Sequence, residues 1–248
     1  MDAFFYFAVL FSDMPERLIE ILINNRSSFS QVVRFDPARQ KLVKLDFTAG
    51  NNELTADILN DTDLFCTYID KQLGRHGASF GIGGYGEHRT IYSRSALFDP
   101  QQPGEEPRRL HLGVDIWGKA GERVMAPMDG TVHSYAFNEA RGDYGATIIL
   151  QHMMEGIVFH SLYGHLSLDS LSGLKEGVSI GRGQAFAAFG IPAHNGYWPP
   201  HLHFQLIKDM QGNHGDYPGV CKYSEREKYL SNCPDPDLVL GMMKFLEK

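Results

Sequence analysis

At 248 residues, with 43% hydrophobic and 21% charged residues, the chain has room for one large folded unit or two modest ones. A formal charge of −7, with no basic run longer than Arg108-Arg109, argues against nucleic acid or an anionic membrane surface as the main partner. The cysteines are Cys66, Cys221 and Cys233; an odd number without a CxxC pair argues against a disulfide framework or a four-cysteine zinc site, and ordinary thiols are preferred over a Cys221–Cys233 bridge.

The apolar run Ala3–Phe11 is too short to span a bilayer and lacks the basic flank and cleavage site of a secretory signal. It reads as a buried strand or a first helix, and no other segment is a transmembrane candidate. Pro15 opens an expected helix through Glu16–Asn24, with Leu18, Ile19, Leu22 and Ile23 on one side. Val32–Phe35 and Lys41–Phe47 read as a hairpin turned at D-P-A-R. Asp61–Leu73 carries the stripe Leu64, Phe65, Tyr68, Ile69 and Leu73, with Gly74 as the stop. Gly77–Gly86 holds further glycines at 81, 83, 84 and 86, but no phosphate-loop lysine, and reads as a turning connector. Residues 1–95 are therefore expected to be a small mixed α/β region with no visible chemistry of its own, and Asp99–Pro107 a plain loop at its border.

From 108 to 210 the texture is mainly β. Short apolar runs separated by glycine turns predict strands at Leu110–Ile116, Arg123–Met125, Gly130–Phe137, Ala146–Gln151, Ile157–Leu166, Ala185–Phe189 and His201–Lys208. After Pro234-Asp235-Pro236 a last helix is expected over Leu238–Glu247, so that 96–248 forms a β-rich domain with a helical tail.

The chemistry concentrates in three places. His111 and Asp115 lie in L-H-L-G-V-D-I, His165 lies in L-Y-G-H-L-S, and His201 and His203 lie in H-L-H-F. Side chains alternate along a strand, so His111, Gly113 and Asp115 share one face, and His201 and His203 share another. Imidazole nitrogen and carboxylate oxygen suit a divalent ion such as zinc. Four residues of extended strand separate Cα atoms by roughly 13 Å, so one ion joins His111 to Asp115 only if the chain bends at or near Gly113. The remaining histidines (76, 88, 133, 152, 160, 194 and 214) read as surface or hydrogen-bonded groups.

These motifs, taken in order, resemble the M23 peptidases, the lysostaphin-like zinc endopeptidases of bacterial cell-wall peptidoglycan. The resemblance is carried by H-L-G-V-D at 111–115, A-P-M-D-G-T-V at 126–132, L-Y-G-H-L-S at 162–167, K-E-G-V-S-I-G-R-G-Q at 175–184 and H-L-H-F at 201–204. It covers 108–206 and is silent on the first 95 residues. It implies an antiparallel β-sheet or sandwich with a groove, and one zinc ion per chain held by His111, Asp115 and His203. His165 and His201 become the catalytic pair, His201 favoured as base, with exchange of roles left open. Since no H-E-x-x-H glutamate is present, a histidine is the expected proton carrier. The implied partner is a peptide or peptidoglycan substrate, which would place the protein in a periplasm or outside the cell; the absence of a recognisable export signal leaves the compartment open. A non-catalytic wall-binding module and a hydrolase of some other substrate are the competing readings. A carrier-domain reading fails because Ala126–Phe137 contains no lysine. Phe137–Asp143 and Gln151–Ile157 are expected as groove walls. Tyr197 and Trp198 are expected either to narrow the cleft and stack on substrate or to pack beneath their loop.

Overall fold

The computed structural model describes residues 14–100 and 102–246, so the run Ala3–Phe11 lies outside it. Helix α1 spans Met14–Asn24. Its buried face is Leu18, Ile21 and Leu22, while Ile23 is exposed. The stripe is thus rotated from the expected one, following the i, i+3, i+4 spacing that one helical face requires.

Strand β1 is Lys41–Lys44, and it pairs in parallel with β2, Ala78–Gly83. The expected hairpin with Val32–Phe35 does not form. Val32 instead lies beside the strand Arg123–Met125, accepting a hydrogen bond from the Met125 backbone at 2.8 Å. Parallel neighbours need a crossover, and helices α2 (Ala56–Asn60) and α3 (Thr62–His76) supply it. Asp61 caps α3 by accepting from the backbone of Asp63 and Leu64. The helix runs past Gly74 and stops at Gly77, which takes the left-handed conformation, φ 57°. The expected glycine-rich connector is therefore largely a strand. Gly81 is needed there because a Cβ would meet Leu45 Cδ1 at 2.5 Å.

The predicted strand Leu110–Ile116 is broken into β3, Leu110–His111, and β4, Val114–Trp117. Next come β5 (Arg123–Met125), β6 (Gly130–Asn138), β7 (Gly145–Met154) and β8 (Ile157–Leu166). The short β9 (Ser179–Ile180) precedes β10 (Ala185–Ala188) and β11 (His201–Ile207). The last strand is β12 (Val220–Cys221). An eight-stranded sheet runs β1-β2-β4-β11-β8-β7-β6-β9, antiparallel in every pairing except β1–β2. Two small ribbons, β10–β5 and β12–β3, flank it. The fold is mainly β with a large, mostly antiparallel sheet.

One core covers a face of this sheet and includes Val114, Ile116, Tyr163, Leu202 and Phe204. A second, aromatic core joins Phe47, Phe65 and Tyr92 to Trp117 and Trp198. The tail departs from expectation. It holds α4 (Arg226–Asn232) and the short α5 (Asp237–Leu240), with Gly241 left-handed at φ 56° before a 3-10 turn. The Asp237 carboxylate accepts from Met242 and Met243, which ends the helix the sequence pattern would have continued. All three cysteines are free. Among the described residues no helix is long and apolar enough to cross a membrane.

Candidate functional site

Strand β11 lies between β4 and β8, with His203 directly opposite Asp115 on one side and Gly164 on the other. This register brings the widely separated motifs together. The break at Leu112-Gly113 turns His111 back toward Asp115, the bend that joining both to one ion demands. Gly113 is required for a further reason. A Cβ there would sit 2.6 Å from the His203 imidazole and 2.8 Å from the Phe204 carbonyl oxygen. The space left open between His111 and Asp115 is filled by the His203 ring.

The resulting triangle is tight. His111 Nε2 is 3.0 Å from His203 Nδ1 and 3.2 Å from Asp115 Oδ1, and His203 Nδ1 is 3.1 Å from Asp115 Oδ1. Ligand atoms around a tetrahedral ion with bonds of about 2.0–2.1 Å stand about 3.3 Å apart. All three residues are buried, and they form the one His/Cys/Asp/Glu group among the described residues with metal-holding geometry.

Each imidazole is oriented from behind. His111 Nδ1 donates to the Gly84 carbonyl at 3.1 Å, which leaves Nε2 as the free lone pair. His203 Nε2 donates to Gln205 Oε1 at 2.9 Å, which leaves Nδ1 free. Gln205 is in turn held by the Pro218 carbonyl and Cys233 Sγ. Outer hydrogen bonds of this kind fix the tautomer a metal needs. Burial, then the nearby Arg89 charge, pushes His111 down to about 4. Burial pushes the Asp115 carboxyl up, but His111 and Arg89 outweigh it and hold the group well below the ordinary carboxylate range. A neutral imidazole and an ionised carboxylate are the states that ligate.

His165 and His201 stand beside the triangle with ring centroids 4.1 Å apart. His201 stacks on Trp117 at 3.9 Å and donates from Nδ1 to the Pro199 carbonyl at 2.8 Å. His165 donates from Nδ1 to the Asn195 carbonyl at 2.8 Å and is held at φ 62°. A left-handed non-glycine residue stores strain that the surrounding structure must hold. Both rings keep Nε2 as an unshared base. Burial lowers both pKa values: His201 to about 4, and His165 well below the ordinary imidazole range, with the His201 and His203 charges adding to it.

A cavity of about 220 Å³ opens over Asp115, His165, His201 and His203. Of the expected walls, Gly142 and Asp143 contribute, but none of Gln151–Ile157 does. Tyr92, Leu97 and Phe98 wall one side instead, and Asp216–Val220 another. Trp198 lines the cavity from a buried position among Phe65, Tyr92 and His165, while Tyr197 faces solvent beneath Arg141. Sequence reasoning missed Arg89, Gln205, Tyr92 and Tyr144, whose hydroxyl lies in the cavity wall 3.5 Å from His203 Nε2. Gln205 had a signal, since it follows His201 and His203 at strand period on the same face. The others reach the site through tertiary packing.

The comparisons with known proteins bear on the same residues. The sequence description of Peptidase family M23 matches residues 109–216. Over 114 residues the chain is 34% identical to an uncharacterized metalloprotease of Haemophilus influenzae, an alignment covering 45% of this chain and 22% of that protein. Over 153 residues it is 31% identical to the L-Ala--D-Glu endopeptidase of Bacillus subtilis, covering 59% of this chain and 42% of that one. The chain thus spans less than half the length of these relatives. Among solved structures, a zinc containing peptidase from Vibrio cholerae aligns at 26% identity over 44% of this chain and 30% of that chain, with a TM-score of 0.33.

Proposed function

We propose that this chain, whose residues 109–216 match peptidase family M23, is a zinc metalloendopeptidase whose substrate is the peptide portion of peptidoglycan. His111, Asp115 and His203 would hold the zinc. The observation that carries this reading is the triangle of ligand atoms, 3.0–3.2 Å on each edge, with both imidazoles locked from behind in the ligating tautomer. When bound, zinc supplies Lewis-acid polarisation of a scissile carbonyl and lowers the pKa of water.

The chain's own groups perform the proton work. His201, its Nδ1–H committed to Pro199, presents Nε2 to take the proton of the attacking water and return it to the departing amine. His165, committed to Asn195, presents Nε2 as an acceptor that orients that water. The two Nδ1–H groups are committed alike, each to a backbone carbonyl, so giving the transfer to His201 and the orienting role to His165 is part of the proposal. The aromatic walls exclude bulk water. The wall substrate is supported by the resemblance of the motifs and by similarity to a Bacillus subtilis protein named as an L-Ala--D-Glu endopeptidase. The complete five-residue set counts against a binding module without catalysis.

The test is mass spectrometry of fragments released from purified peptidoglycan by the zinc-loaded protein, beside His201→Ala. New peptide termini made only by the unmutated protein establish the activity and name the bond. No release by a zinc-loaded protein removes the cell wall as substrate.

A further inference from the structure

Arg89 lies outside the family-matching residues, yet it is fully buried against the site. Its Nη1 meets Asp115 Oδ2 at 2.5 Å, and its Nε meets Glu87 Oε2 at 2.7 Å. The guanidinium lies 5.3 Å over the Phe47 ring, with the Tyr92 hydroxyl at 3.5 Å from Nη1. The backbone is pinned as well: Arg89 N donates to the Arg109 carbonyl at 2.8 Å, and His111 N donates to the Glu87 carbonyl at 3.0 Å. The segment carrying Arg89 is thus bonded directly to the strand carrying His111. Space for the guanidinium comes from Gly83, which pairs with Asp115 and whose Cβ would sit 2.5 Å from Nη2. This gives the glycine-rich stretch a purpose that neither a phosphate loop nor a connector supplies.

A buried arginine shared by two carboxylates is expensive to desolvate, and stability alone is a weak reason to keep it. The division of labour at Asp115 suggests another. Oδ1 faces His111 and His203, while Oδ2 is taken by Arg89. A carboxylate free at both oxygens can rotate or chelate with both, and so occupy a position that a hydrolytic metal site keeps open.

We propose that Arg89 is a positioning residue for the metal ligand Asp115: it engages Oδ2, presents Oδ1 alone to the ion, and offsets the carboxylate charge so that the site stays electrophilic. The inference rests on the metal reading above. It makes the region before residue 109 a working part of the metal centre. Lysine at 89 would keep the charge but lose the planar fork that serves Glu87 and Asp115 together.

The experiment uses the full chain, stripped of metal and titrated with zinc against a competing chelator, and with cobalt(II) read by visible absorption. Arg89→Met should weaken zinc binding by about 10–100-fold, the usual effect of losing an outer-shell partner. Its cobalt bands should weaken and shift as a second carboxylate oxygen joins the ion. Arg89→Lys should fall between, and Glu87→Gln should move both readouts the same way by less. Unmutated zinc affinity together with an unmutated cobalt spectrum in Arg89→Met overturns the proposal. Should that variant not fold, the same pair of results in both Arg89→Lys and Glu87→Gln overturns it. An unmutated protein that takes up neither metal fails the metal reading itself, whereas normal uptake with indifferent variants fails only the role given to Arg89.

Discussion

The chain before residue 109, which adds β1 and β2 to the large sheet, and the chain after it, which supplies the other six strands and the β12–β3 ribbon, serve the site in different ways. The second region carries every side chain that would touch metal or reacting water, on strands whose register puts His203 opposite Asp115. The first carries none of those. It supplies the Gly84 carbonyl that orients His111, the Arg89 guanidinium on Asp115, and the Tyr92, Leu97 and Phe98 wall of the cavity. Ligating chemistry recurs as short motifs. The support around it can be built from any residues that reach, so it leaves no fixed pattern in a sequence.

The comparison is tested most sharply where the second region acts alone. His203→Ala should lose zinc on dialysis and hydrolysis with it, whereas His201→Ala should keep zinc and lose about 10²–10⁴-fold in kcat. Metal content and fragment release measured on the same samples separate the two, and an active His201→Ala protein would reassign the base. Phe65→Ala probes the shared aromatic core, where Phe65 lies 6.1 Å from Trp117 and 6.3 Å from Trp198. It should cost about 3–5 kcal/mol and lower the midpoint of one cooperative urea transition. Two separate transitions, with zinc retained through the first, would break the claim that both regions support one site. Gly113→Ala pushes a methyl group onto the His203 ring. It should cost about 1–3 kcal/mol in stability and weaken zinc binding, read by melting and chelator competition.

The smallest effect concerns Asp143 in the cavity wall. Burial raises its carboxyl to about 6, with the Asp216 charge adding to it, above the unfolded value near 3.9. The folded chain therefore holds a proton that the unfolded chain has released. Asp143 favours folding below about pH 4 relative to higher pH, and that contribution is lost as pH rises through about 6. Asp143→Asn should then be more stable than the unmutated protein at pH 8, by no more than about 1–2 kcal/mol after solvent screening, and not at pH 4. Thermal melts at both values check the sign.

Reading the chain for function worked where geometry is local. Alternation within His201-Leu202-His203 put two imidazoles on one strand face, and the reach of a metal bond demanded the bend realised at Leu112-Gly113. The predicted strand Ile157–Leu166 has the observed bounds. Reading failed where a partner distant in sequence decides. Lys41–Lys44 looks like half of a hairpin, but its partner is Ala78–Gly83 across two helices. Gln151–Ile157 looked like a groove wall, but none of its residues lines the cavity. Gly83 looked like a turn, although its purpose is the guanidinium beside it.

By itself the sequence determined the β-rich character and the order of the motifs, and through its resemblance to the M23 peptidases it nominated the five groups proposed to hold a metal and move a proton. The β character and the face-sharing within each motif follow from residue chemistry and from periodicities of two and three to four residues, which act within a single element. Only the tertiary structure decided that the first region joins the same sheet, that Arg89 occupies the far oxygen of Asp115, and that Gln205 and Gly84 set the tautomers of His203 and His111. Those contacts depend on strand order and on the space glycines leave, and both come into being only when distant segments pack.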